Sequence, residues 1–293
     1  MEIIAQDICE QFNLRLFGNE KHRVSSISSL ENQDEASLMW AKSPHFLSKV
    51  KKGVVICSQS DYENNTTKIN AVTYLVTTES PRLTFSKVVQ RYVGTSAIVL
   101  KNEVDLFKSR TDIIISENCF IGPNVEIGKG TILYPNVVIH AGTKIGENCV
   151  IKSFCSIGSE GLGFEKVDNQ LIKFPQLGGV IMGNNVEIGP NSTIRRAAID
   201  NTIVKDGCKI GSFVNIGHNC IIGENSILTC QIVTAGGSII GKNVFMGVNS
   251  SVKQKVTVGN DATIGQGAVI VKNVNDHETV VGNPGKVIGN TPS

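Results

Sequence analysis

The chain has 293 residues, 41% of them hydrophobic and 18% charged, enough for one large domain or two medium ones with real cores, which excludes a disordered chain. Its 28 Lys and Arg against 26 Asp and Glu leave a net charge of +2, so no basic excess points to nucleic acid or an anionic membrane surface. No run of ~18 apolar residues occurs. The first residues, MEIIAQDICEQ, lack a basic stretch leading into an apolar one, and together these predict no membrane span and a cytoplasmic location.

Residues 1–108 lack the period found further on and read as a small, separate α/β domain. A helix is predicted near 5–13, strands near 23–29, 37–41, 53–57 and 71–76, and a second helix near 82–93, started by Ser80-Pro81. Residues 94–112, with Lys101, Glu103, Asp105, Lys108 and Arg110, read as a linker.

From Ile115 a strict period of six takes over, through Ile121, Ile127, Leu133, Ile139, Ile145, Ile151 and Ile157. It returns at Met182, Ile188 and Ile194, then runs from Val204 to Ile270, interrupted only by Thr234. Sixteen aromatic residues (11 Phe, 4 Tyr, 1 Trp) against 29 Gly fit a core that is aliphatic and repetitive. An α-helix needs spacings of 3 and 4 and an antiparallel sheet an alternation of 2, so neither explains the pattern. Six residues make a short strand and a bend; three such faces close a coil of about 18 residues that stacks on its neighbour at about 4.8 Å. The fold class is therefore mainly β, with a parallel β-helix over 109–275 and a capping tail over 276–293. Residues 158–180 break the register as an inserted loop, and a second slip follows Ile194 within IRRAAIDNTIV. Loops of that length inside a compact repeat are usually functional, the alternative being a tolerated surface excursion.

The eight cysteines form no C-x-x-C pair, so they are read as small buried thiols and no metal is expected. His140 and His218 are separated by 78 residues, not a multiple of 18, which argues against a shared zinc site. His218, in NIGHNC, is the histidine of interest. Gly236, in VTAGGS, follows it by 18 residues, so one circuit of the coil brings an imidazole beside a bare main-chain amide. A base for an attacking amine and a donor for a developing oxyanion are the two requirements of acyl transfer. A solvated surface histidine is the alternative.

GLGFE…KFPQLGGVIMG, NVEIGPNSTI, AIDNTIV and NIGHNCIIGENS, together with the N-terminal domain, resemble the left-handed β-helix acyltransferases, specifically the UDP-3-O-(3-hydroxyacyl)glucosamine N-acyltransferases. The resemblance implies a left-handed helix, a homotrimer with sites between subunits, His218 as general base and Gly236 as oxyanion-hole amide. It places Trp40 and Phe46 as a clamp on a uracil or thymine base, with an ordinary core Trp as the alternative. Within the insertion, Gly163, Phe164, Lys173 and Gln176 become candidates for the sugar site. Some positions depart from the family. Gly211-Ser212 replaces an Asp-Asn pair that precedes the histidine, Arg195-Arg196 an Asp-Arg pair, and Lys255 a second active-site histidine. The tail GAVIVKNVNDHETVVGNPGKVIG resembles that of CoA-dependent sugar acetyltransferases, which makes Lys272, Asn283, Pro284 and Lys286 candidate donor contacts, with a solvated Lys286 as the alternative; Lys255 is a further donor candidate.

The expected function is N-acyl transfer from acyl-CoA to the amine of a UDP- or dTDP-linked amino sugar of surface polysaccharide, without a permanently bound cofactor. Two readings stand beside it. One is the lipid A enzyme itself, using acyl carrier protein; the other is a non-catalytic nucleotide-sugar-binding scaffold.

Overall fold

The structure is a computed structural model that describes residues 3–94, 101–167 and 169–290. The described residues of Met1–Ser96 with Gly163–Pro175 form one compact unit, and those of Ala97–Leu162 with Gln176–Ser293 form another.

The first unit centres on a five-stranded sheet in the order Arg15–Phe17, Val72–Thr77, Gly53–Ser58, Ser37–Trp40, Ser26–Ile27. Only the pairing of Arg15–Phe17 is antiparallel. The two inner runs, GVVIC and VTYLV, are buried along their length, as strands covered on both faces must be. Helices Ala5–Phe12 and Pro81–Tyr92 agree with expectation. The expected strand near 23–29 is instead two pieces: Arg23–Val24 pairs with Ile3–Ile4, and Ser26–Ile27 joins the main sheet. Strand Arg15–Phe17 and the short helices Pro44–Leu47 and Gln59–Glu63 gave no signal, being too short to show a period.

The inserted segment is not an open loop. Phe164–Val167 and Gln170–Lys173 form an antiparallel hairpin. It belongs to the first unit because its side chains pack on helix Pro81–Tyr92. Phe174 stacks on Phe85 with centroids 6.1 Å apart, the Arg82 guanidinium lies 4.5 Å from the Phe174 centroid and pairs with Glu165, and Gln90 Nε2 donates to the Lys173 carbonyl at 2.9 Å.

In the second unit the six-residue period closes into three parallel sheets. Coil-to-coil pairing has the expected step of eighteen, as in Ile121, Ile139 and Ile157, and in Ile216, Thr234, Val252 and Ile270. These inward residues are buried to within 2%. The corners are set by asparagine: Asn124, Asn136, Asn148, Asn185, Asn225 and Asn243 have φ of 54–62°, a left-handed turn that Asn tolerates at little cost. Removing one inward side chain leaves a void with rigid walls, so Ile157→Ala is expected to cost about 2–5 kcal/mol. Chemical denaturation measures it, and a loss below ~0.5 kcal/mol would contradict a close-packed column.

Both breaks in the register fall on one corner, between the face carrying Ser156–Ser159, Thr193–Arg195, Asn215–Ile216 and Val233–Thr234 and the face carrying Gly179–Met182, Asn201–Val204, Ile221–Ile222 and Ile239–Ile240. Ile145 pairs with Met182 across the insertion. After Ile194 the next inward residue is Val204, while Asp200, where a six-residue step would place it, sits at φ 62°.

The ends differ from expectation in one respect. The domain limit expected at 108 falls late: Val104–Phe107 is a short 3-10 helix whose Val104 and Phe107 pack on the β-helix core, and Glu103 N–H donates to the Ile121 carbonyl at 2.7 Å. Residues 101–108 therefore plug the first coil rather than link domains. At the other end Glu278–Val281 extends the ten-stranded sheet in parallel and Lys286–Asn290 folds back on it. Seven cysteines are buried, and burial pushes the Cys155 and Cys208 thiols up to about 11; Cys230, expected to be buried, is exposed. Among the described residues no helix is long and apolar enough to cross a membrane.

Candidate active site

The corner that carries both irregularities also carries His218. Two residues past the inward Ile216, the chain leaves its strand and turns through Asn219 at φ 59°. One coil on, Gly237 N–H donates to the His218 carbonyl at 2.8 Å, so the two turns stack directly. The half-buried imidazole lies over the Gly236 backbone: a Cβ at Gly236 would fall 2.5 Å from His218 Nε2 and 2.7 Å from Cε1. Glycine is needed here for close approach, not for an unusual φ. Ala235 and Gly237 spend their N–H groups on coil-to-coil bonds, whereas the Gly236 N–H finds no acceptor among the described residues. A base and an unspent main-chain donor thus lie side by side.

The ring also meets the root of the insertion. A Cβ at Gly161 would lie 2.9 Å from His218 Cβ, 3.0 Å from its Cδ2 and 3.1 Å from Gln176 Oε1. Sequence reasoning left Gly161 unassigned, because the contact depends on where an irregular segment returns. Of the four insertion residues proposed for the sugar, the structure brings Gln176 to this corner, buried to 1%. Gly163, Phe164 and Lys173 belong to the other unit. His218 Nδ1 lies 3.0 Å from Asn219 Oδ1.

Below His218 the corner is held by arginine. Arg196 is 1% exposed and donates from Nε to the Gly158 carbonyl at 2.8 Å and from a terminal nitrogen to the Ala141 carbonyl at 2.5 Å. Arg195 donates to the Glu160 carbonyl at 2.7 Å. The two guanidinium groups clamp the strand from which the insertion leaves. Burial holds the Arg196 guanidinium below its usual value, with Glu160 opposing. Arg196→Met should leave two carbonyls without their donors and lower stability by about 1–3 kcal/mol, read as a drop in melting temperature. An unchanged melting temperature would remove the clamp from the account.

His140 occupies the same corner on an earlier coil; Gly158 packs on its Cβ at 3.2 Å from an added methyl position. The separation of 78 residues misled because the insertion and the late step after Ile194 interrupt the count of eighteen. Burial, and then the Arg196 charge, push the His140 imidazole below its ordinary value. Among the described residues no three His, Cys, Asp or Glu side chains gather as metal ligands.

The proposed donor residues divide. Lys255 turns the corner one coil beyond Gly236, at φ 60°, and its N–H donates to the Gly236 carbonyl at 3.2 Å. Lys272 lies on the same corner three coils above His218, about 14 Å away at strand spacing. Asn283 and Pro284 sit in the final turn, where the flanking Gly282 and Gly285 bond to Val269, and Lys286 starts the last exposed strand. In the first unit Trp40 ends its strand opposite Ile56, half-buried. Phe46, on the short helix Pro44–Leu47, has the Lys42 and Lys49 ammonium groups 5.2 and 5.3 Å from its ring centroid.

Residues 124–159 and 201–229 match the family described as bacterial transferase hexapeptide (six repeats), and residues 238–272 match the hexapeptide repeat of succinyl-transferase. The chain is 33% identical over 290 residues to a UDP-3-O-acylglucosamine N-acyltransferase of Campylobacter lari, covering 92% of this chain and 88% of the relative. It is 38% identical over 259 residues to the protein of that name from Fusobacterium nucleatum, covering 79% and 75%. Among solved structures it resembles a UDP-N-acetylglucosamine acyltransferase of Francisella novicida, with a TM-score of 0.53 and 27% identity over 62% of this chain and 67% of that one. Identity at this level over most of both chains, with the coils and the His218 corner in place, means that the chain belongs to the UDP-3-O-acylglucosamine N-acyltransferase family and is an acyltransferase built on a left-handed parallel β-helix.

Proposed function

We propose that the protein transfers a long acyl chain from a phosphopantetheine thioester to the amine of UDP-3-O-acylglucosamine, with acyl carrier protein as the donor. The observation that carries the chemistry is the stack of His218 Nε2 on Gly236. The choice of sugar and donor is supported by the identity to relatives bearing that name over most of their length. The reading first drawn from the sequence, an acyl-CoA-dependent enzyme of surface polysaccharide, has less support, since it rested on local departures and the tail.

The stack of His218 on Gly236 supports the following steps. The sugar amine attacks the thioester carbonyl while His218 Nε2 takes its proton. The Gly236 N–H donates to the oxygen on which negative charge develops. Collapse breaks the C–S bond, and the thiolate leaves with the proton held by the imidazolium. Trp40 and Phe46 hold the uracil, Lys42 and Lys49 supply positive charge to the adjoining diphosphate, and Gln176 contacts the sugar beside the base. Lys255, Lys272, Asn283, Pro284 and Lys286 are assigned to the donor arm, and the working assembly is a homotrimer.

Turnover with UDP-3-O-acylglucosamine should be compared for acetyl-CoA, 3-hydroxybutanoyl-CoA and a 3-hydroxyacylated carrier protein. The carrier protein is expected to be fastest; preference for acetyl-CoA would return the function to the CoA reading. Trp40→Ala should weaken UDP binding roughly 5- to 100-fold, the range for loss of one base-stacking partner. Calorimetric affinity equal to wild type would remove Trp40 from the clamp.

A further inference from the structure

With no carboxylate at the positions where the family resemblance places one, the His218 ring still has a defined partner, and the second register slip explains how it is held. The Asn219 side chain makes three kinds of contact. Its Nδ2 donates to the Ile199 carbonyl at 2.9 Å, its Oδ1 accepts from the Ala198 N–H at 3.0 Å, and the same Oδ1 lies 3.0 Å from His218 Nδ1. Its own main-chain N–H donates to Thr202 Oγ1 at 2.8 Å, and Thr202 is fully buried.

These bonds decide the amide orientation. A flipped amide would set its NH2 against the Ala198 N–H and its oxygen against the Ile199 carbonyl, two repulsive contacts in place of two bonds. With Oδ1 fixed toward His218 and able only to accept, Nδ1 must carry the proton. In the neutral ring Nε2 then bears the lone pair. That is the nitrogen over Gly236. Ala198 and Ile199 belong to the stretch between Ile194 and Val204, where the coil is four residues longer than a regular step. The lengthened coil thus supplies both backbone groups that hold the Asn219 amide.

We propose that Asn219 is a positioning residue that locks His218 in the Nδ1–H tautomer, and that the lengthened coil at Ile194–Val204 is the frame that holds its amide. The claim rests on the functional reading of His218, but the tautomer itself is testable without turnover. Asn219→Gly is the informative variant, because glycine accepts φ 59° as readily as asparagine and so removes the amide without straining the corner. Asn219→Asp keeps the acceptor for Nδ1 and for Ala198, although its second oxygen replaces the donor to the Ile199 carbonyl.

In 15N spectra of histidine-labelled full-length protein at neutral pH, with the His218 signals identified by their loss in His218→Ala, wild type and Asn219→Asp should show Nδ1–H and an unprotonated Nε2. Asn219→Gly should shift toward Nε2–H, the form the free side chain prefers. Its kcat should fall roughly 10- to 100-fold with KM changed less than about threefold, since a wrong tautomer disables a base without removing binding contacts. Asn219→Asp should stay within about tenfold of wild type. A wild-type spectrum dominated by Nε2–H overturns the proposal, as does an Asn219→Gly enzyme with unchanged tautomer and kcat. If wild type fails to turn over any thioester, the function assigned above falls, and the spectrum still decides the tautomer.

Discussion

His218→Ala is expected to lower kcat by about 10²- to 10⁴-fold, the range for loss of a positioned general base, with KM for the sugar nearly unchanged. The expectation follows from placement. The imidazole packs against both the Gly236 backbone and the root of the insertion at Gly161, and it bonds to Asn219 through Nδ1. Such a ring has little freedom to do anything other than present Nε2 at that corner. The inner column beneath it, Ile194 and Ile216, does not touch the change, so the melting temperature should shift little. Residual turnover above the uncatalysed rate is expected because the Gly236 N–H remains. Steady-state kinetics with saturating thioester measure the loss. Turnover within threefold of wild type would show that another group takes the proton and would sink the mechanism.

The parts of this molecule that could be read from sequence are those governed by a short, strict rule. Six-residue spacing fixed the inward residues because an aliphatic side chain either enters the column or faces water, and Ile121, Ile139 and Ile216 have no intermediate option. The corner asparagines obey a looser rule: asparagine takes a left-handed φ at less cost than most side chains, yet Phe213 and Lys255 hold such corners too. The pairing of His218 with Gly236 followed from the count of eighteen because no irregularity lies between them. Where the count is interrupted, the rule lost its reach. His140 lies off the count of eighteen from His218 yet shares its corner, Gly161 had no assignment, and the insertion was read as a loop when a hairpin forms. The hairpin is stabilised by Phe174 on Phe85 and by Arg82, contacts some ninety residues apart in the chain that no local pattern encodes. Asn219 looked like one more corner asparagine; only the lengthened coil beneath it distinguishes its side chain from the others.

Gly236→Ala is the sharper test of the site, because it adds a single carbon and removes nothing. The backbone at Gly236 is not left-handed, so alanine can adopt it; the obstacle is the imidazole, 2.5 Å from the new methyl at Nε2 and 3.0 Å at Cδ2. Contacts below 3.0 Å must be relieved by movement, and Gly161 also packs close to the ring, which narrows the room for it. The imidazole is expected to rotate away, breaking its bond to Asn219 and tilting Nε2 off the line to the amine. The same methyl also crowds the space in which the oxyanion would meet the Gly236 N–H. Together these should lower kcat by about 10²- to 10³-fold, the cost of losing one oxyanion donor, even though base and amide are both still present. Gly289→Ala is the matched control. A Cβ there meets nothing within 4 Å, so stability and turnover should be unchanged. The double variant His218→Ala with Gly236→Ala should be little worse than His218→Ala alone, because two changes that disable one unit do not add. If Gly236→Ala turns over like wild type while His218→Ala is inactive, the oxyanion must be held elsewhere, and the stacking of these two corners would serve only the fold.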